Sequence, residues 1–172
     1  MIYQFNHKKP QIPESCYISD SVDIIGDVIL GEQVNIWFGT VIRGDMHSIK
    51  IGDRTNIQDN CTVHVTTEIA PTNIGSDVTI GHNAIIHGCT IEDQCLIGMG
   101  AIIMDNAIIR KGSIIGAGAV VKAGDVIEPK SLCVGIPAKV VRKVSNEEYK
   151  EIKERASHYV EYAEKFKRNA NK

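Results

Sequence analysis

Three histidines, His64, His82 and His87, fall within one 24-residue window of the chain. Imidazole is the commonest side-chain metal ligand. Three imidazoles with a fourth position left to water make a typical catalytic zinc site, so the chemistry these residue types offer is activation of a water molecule. Whether the three can meet depends on the elements that carry them, and on the phase of those elements.

The surrounding sequence has a six-residue aliphatic beat. It runs Ile18, Ile24, Leu30, Ile36, Ile42, then Ile51, Ile57, Val63, then Ile74, Ile80, Ile86. A last unbroken run is Ile91, Ile97, Ile103, Ile109, Ile115, Val121, Ile127. A period of six fits neither an amphipathic helix nor an alternating strand. It is the signature of a hexapeptide β-helix, in which three hexads close one triangular coil. The 18 positions predict about six coils ending near Ile127–Pro129, an all-β solenoid with its inward residues stacked on one another.

The phase breaks locate the histidines. Ile42 to Ile51 carries a three-residue insertion containing Arg43-Gly44-Asp45, and Val63 to Ile74 a five-residue insertion around Thr66–Thr72. His64 and His87 are 23 residues apart; removing the five-residue loop leaves 18, one full coil. They are therefore expected on one face, about 4.8 Å apart along the axis. His82 lies five residues before His87, across a corner, so its side chain diverges by roughly 120° in a three-sided coil. One chain should not bring all three to one ion, whereas a cyclic homotrimer would, with three equivalent sites at its interfaces.

Composition bounds the rest. A net charge of −2 predicts no nucleic-acid partner and no anionic membrane. The first residues lack the apolar run of a signal peptide, and no stretch approaches a membrane span. Five cysteines without Cys-x-x-Cys spacing predict a reducing, cytoplasmic setting. Cys16, Cys61, Cys89 and Cys95 fall two residues before inward positions and read as small buried packing residues. Residues 1–17, with Pro10 and Pro13, read as an N-terminal lead-in, and residues 18–142 as the β-helix with an exit strap. Ser145 and Glu148 form a capping box, opening a helix expected over 145–169 and packed on the prism or on a neighbouring subunit.

Taken together, Arg43-Gly44-Asp45, Asn56-Ile57-Gln58-Asp59-Asn60, His64 and Gly81-His82-Asn83-Ala84-Ile85-Ile86-His87-Gly88-Cys89 resemble the γ-class carbonic anhydrases. The resemblance covers essentially the whole chain. It implies a left-handed parallel β-helix, a homotrimer, and reversible hydration of CO2 to bicarbonate by a metal-bound hydroxide at the subunit interfaces. Carried over residue by residue, it implies His64 and His87 of one subunit and His82 of the next as ligands of zinc, with Fe2+ or Co2+ also suited to imidazole. Gln58 and Asn56 would lie beside the bound water, Gln58 orienting it. Arg43, Asp45 and Asp59 would form an interfacial ion-pair network, and Tyr159 would stand at the mouth of the site. Met46 occupies a position where well-studied members carry a glutamate, and the loop after His64 offers only Glu68. Slow proton export and low turnover are therefore expected.

Other readings stay open on the sequence. A hexapeptide acyltransferase using CoA or acyl carrier protein would need one histidine as general base, not three around a metal. A metal-dependent acyl-CoA thioesterase would use the same metal site on another substrate. A zinc-clamped structural or assembly protein would keep the metal without turnover.

Overall fold

The computed structural model describes residues 1–170. Its strands stack as rungs of a parallel β-solenoid, and each inward isoleucine pairs in register with its counterpart one coil away. One sheet stacks Tyr17–Ile18, Asn35–Ile36, Asn56–Ile57, Thr79–Ile80, Leu96–Ile97, Ile114–Ile115 and Ser131–Val134. The other sheet wraps two faces, because the long strands Asp23–Leu30 and Val41–Ile51 each run through a corner. Their first halves continue into Thr62–His64, Ile85–His87, Ile102–Ile103 and Val120–Val121, here called the histidine face. Their second halves continue into Thr72–Ile74, Thr90–Ile91, Ile108–Ile109 and Val126–Ile127.

The beat in the sequence is the core. Ile24, Ile36, Ile42, Ile57, Ile80, Ile86, Ile91, Ile97, Ile103, Ile109 and Ile115 are all fully buried, and each such side chain contributes about 1.5–3 kcal/mol. The corners are turned by residues in the left-handed region, including Asn60, Asn83 and Asn106 at φ 58–60°, a conformation asparagine tolerates better than most side chains. At Gly26, with φ +77°, an added Cβ would lie 2.4 Å from the Gly44 carbonyl oxygen, so two adjacent coils touch there.

The solenoid is one rung taller than the aliphatic pattern predicts. Seven strands stack where about six coils are expected, because Ser131–Val134 adds a rung beyond Ile127. Cys133 takes the inward slot opposite Ile115 and is fully buried. A thiol is small and apolar enough to close the stack, but it is invisible to a search for Ile, Leu and Val. Lys139–Lys143 then returns antiparallel on that last rung.

Within residues 1–17, Ile2–Tyr3 pairs parallel with Ile24 and Ile25 on the first coil, and Gln11 bridges to Val28 and Leu30. The C-terminal helix, Asn146–Ala170, lies along the seven-rung face of its own prism, burying Ile152, Ala156 and Ala163. Both halves of its capping box form: the Ser145 backbone N–H donates to Glu148 and the Glu148 N–H to the Ser145 hydroxyl. Trp37, projecting from the prism, meets Tyr159 edge-on at 5.7 Å and Phe166 at 5.1 Å. This aromatic contact fixes which part of the helix overlies Gln58 and His82. No helix among the described residues is long and apolar enough to cross a membrane.

Candidate metal centre

His64 and His87 close adjacent rungs of the histidine face and are direct partners in the ladder. Their inward neighbours Val63 and Ile86 are fully buried, so strand alternation turns both imidazoles outward. His64 Nδ1 and His87 Nε2 stand 3.1 Å apart. The remaining nitrogens face carboxylates: His64 Nε2 lies 3.0 Å from Asp45 Oδ1, and His87 Nδ1 lies 2.6 Å from Asp105 Oδ1. A carboxylate accepts a hydrogen bond and cannot give one, so each of those nitrogens carries the ring proton. With both rings neutral, Nδ1 of His64 and Nε2 of His87 turn lone pairs toward one another with no donor between them. Such a pair is relieved by a cation. Two imidazoles on a tetrahedral zinc would place their nitrogens about 3.3 Å apart, close to the observed separation, so this half of the site fits a metal ion.

Arg43 pairs with the second oxygen of Asp45. Burial alone would raise the Asp45 carboxyl, but the His64 and Arg43 hydrogen bonds outweigh it and hold Asp45 below its ordinary value. Asp105 is held down in the same way, burial being outweighed by His87 and by Thr66, whose hydroxyl donates to Oδ2 at 2.9 Å.

His82 sits elsewhere, past Gly81 at the corner following Thr79–Ile80. Its Nδ1 lies 2.6 Å from Asp59 Oδ2, leaving Nε2 free, and its side chain is 40% exposed against 14% for His64. Beside it Gln58 Nε2 donates to Asn56 Oδ1 at 3.3 Å, and Asn56 Nδ2 donates to Thr79 Oγ1 at 2.8 Å. Asn56 is fully buried, and Gln58 keeps 5% exposure. A cavity of ≈260 Å³ joins Gln58 and His82 to Leu96, Met99, Arg155 and Tyr159. Burial pushes the Tyr159 phenol above its ordinary value, and Arg155 pulls it partly back.

The structure thus brings Arg43, Asp45, His64 and His87 together on one face, and Asn56, Gln58, Asp59, His82 and Tyr159 together on another. Among the described residues, no three His, Cys, Asp or Glu side chains converge on a metal position within one chain. Asp105, Thr66 and Arg155 escaped the sequence reading. Asp105 was findable, since it lies 18 residues, one coil length, after His87. Arg155 was findable one helical turn before Tyr159. The five cysteines play no part: all are buried and free, and burial pushes Cys61, Cys89 and Cys95 up to about 12.

Comparison with known proteins adds four likenesses. Residues 88–123 match the family described as "Bacterial transferase hexapeptide (six repeats)". The chain is 55% identical over 153 residues to the "Probable carbonic anhydrase" of Methanocaldococcus jannaschii, covering 89% of this chain and 96% of that one. It is 40% identical over 162 residues to "Gamma carbonic anhydrase 2, mitochondrial" of Arabidopsis thaliana, covering 91% of this chain but 58% of the plant protein. Against that relative it therefore spans less than two thirds of the length. The crystal structure of a "hexapeptide transferase family protein from Anaplasma phagocytophilum" superposes with a TM-score of 0.92 at 36% identity, over 96% of this chain and 97% of that one.

Proposed function

The chain belongs to the γ-class carbonic anhydrase family, and from that premise we propose that it catalyses the reversible hydration of CO2 to bicarbonate, as a homotrimer with a metal at each subunit interface. The observation that carries this reading is the pair of ring nitrogens on His64 and His87 that face one another at 3.1 Å, each imidazole backed by its own carboxylate. His82, with Nε2 free and Asp59 behind it, is the complementary piece from the next subunit. Such carboxylate–histidine pairs orient metal ligands and raise their basicity. Zinc suits three imidazoles best, with Fe2+ or Co2+ also accommodated. When bound, such an ion supplies Lewis acidity, which makes water acidic enough to react near neutral pH.

The chain's own residues do the rest. Because the Gln58 amide nitrogen is engaged by Asn56, its carbonyl oxygen is left as an acceptor that orients an O–H of water or of bicarbonate. Asn56 acts through Gln58 as a positioning residue, held in turn by Thr79. Arg43 and Asp45 steady His64. Arg155 sets positive charge beside the cavity, where bicarbonate is the anion to be held, and Tyr159 forms its wall. Met46 is exposed and touches the Thr67 hydroxyl rather than offering a base, which supports slow proton export. Five free, buried cysteines suit a reducing, cytoplasmic setting.

An acyltransferase reading draws on the names of the hexapeptide family and of the Anaplasma structure. A transferase histidine acting as general base has no use for a second imidazole 3.1 Å away. Metal analysis paired with stopped-flow CO2 hydration separates the readings. The wild type should bind metal stoichiometrically and hydrate CO2, and His82→Ala should lose the metal and about 100-fold or more in kcat/KM. A metal-loaded wild type that is no faster than His82→Ala would sink the enzymatic reading.

A further inference from the structure

Asp105 belongs to none of the motifs that single out the site, yet both of its carboxylate oxygens are engaged there. It stands one coil beyond His87, just past Ile102–Ile103, and its two oxygens are divided between two partners. Oδ1 accepts from His87 Nδ1 at 2.6 Å, and Oδ2 accepts from the Thr66 hydroxyl at 2.9 Å. Space for this approach is built into the backbone. Gly88 has φ +54°, and a Cβ there would lie 2.3 Å from Asp105 Oδ1 and 2.8 Å from the Ala70 Cβ. Thr66 is the first residue of the five-residue insertion, which closes on itself through reciprocal Thr66–Ala70 backbone hydrogen bonds. Just past the insertion, at the start of the strand Thr72–Ile74, the Thr72 hydroxyl donates to the His64 carbonyl at 2.6 Å. The insertion is therefore tied at both ends to the two ladder histidines, through Asp105 to one and through the backbone to the other.

We infer that Asp105 is a positioning residue for the reaction: it fixes His87 with its proton on Nδ1 and Nε2 outward, and Thr66 locks Asp105 in that pose. The inference rests on the reading of His87 as a metal ligand. It gives the insertion after His64 a role of its own, as a buttress of the ligand set. Asp105 differs from Asp45 in one respect that matters. Asp45 shares its charge with Arg43, whereas the second partner of Asp105 is a neutral hydroxyl. Asp105 therefore faces the His87 ring with no arginine or lysine bonded to it.

The test uses the full chain and two readouts. With metal removed and at alkaline pH, where imidazole is neutral, side-chain 15N NMR should find the His87 proton on Nδ1 in the wild type and in Asp105→Asn. In Asp105→Ala it should move to Nε2. In a zinc competition against a chelator, Asp105→Ala should weaken binding about 10- to 100-fold, and Thr66→Val about fivefold. A wild-type proton on Nε2, or an Asp105→Ala proton still on Nδ1, overturns the inference. Should Asp105→Ala fail to assemble, Thr66→Val decides, because unchanged zinc affinity in that variant overturns it equally. A wild type that takes up no zinc defeats the functional reading instead, and the tautomer comparison still settles the role of Asp105.

Discussion

At the scale of the residue, the amide of Gln58 has one engaged end and one free end, and Asn56 decides which is which. Gln58→Ala should leave metal content and assembly unchanged while lowering kcat/KM for CO2 hydration by about 10- to 100-fold. Asn56→Ala should lower the rate similarly and also cost about 1–3 kcal/mol of stability, since Thr79 and Val78 lose a buried donor. Stopped-flow rates beside denaturant midpoints check the pair, and equal destabilisation by both variants would contradict the assignment. Gln58 and Asn56 stand out in the sequence because they form a short polar motif in an aliphatic repeat. Their division of labour does not, because it depends on a hydrogen bond to Thr79, 23 residues away and one coil further on. Asp105 was hidden for the same reason: its partners His87 and Thr66 lie 18 and 39 residues distant.

At the scale of the element, the helix Asn146–Ala170 depends on a cap that is partly ionic. Arg142 and the Ser145 backbone N–H together hold the Glu148 carboxyl down to about 2. A carboxyl depressed on folding contributes stability that is complete above its ordinary value near 4.5 and is lost as pH falls toward 2. Thermal midpoints measured across that window should fall less steeply for Glu148→Gln than for the wild type. Ser145→Ala should cost about 1 kcal/mol at neutral pH. The strands were legible because a six-residue period has no other common explanation, and the helix because Ser145, Glu148 and the spacing of Ile152, Ala156 and Ala163 agree. The last rung was not legible, since Cys133 does an isoleucine's packing without an isoleucine's signature.

At the scale of the whole molecule, the two groups of candidate residues on different faces make a sharper claim than any single variant. If each site is completed by a neighbour, chains lacking His82 and chains lacking His64 and His87 should rescue one another. Random 1:1 mixing in a closed ring of three would leave about a quarter of the sites with both halves intact. Activity and metal near that level in mixed trimers, with neither in the separate variants, is the expected result, and no recovery would place the site within one chain. That His82 must be turned away from the other two was legible from coil arithmetic alone. The cavity that it shares with Arg155 and Tyr159 was not, because the docking of the helix depends on Trp37, far away in sequence. The thiols run the length of the prism, from Cys16 on an early coil through Cys61, Cys89 and Cys95 to Cys133 on the last rung, and all are buried. The closed solenoid therefore leaves a thiol reagent only Cys16, which is 8% exposed and lines a surface cavity, while the other four are out of reach. When it opens, whichever of those four is modified first records the end from which the stack has begun to unzip.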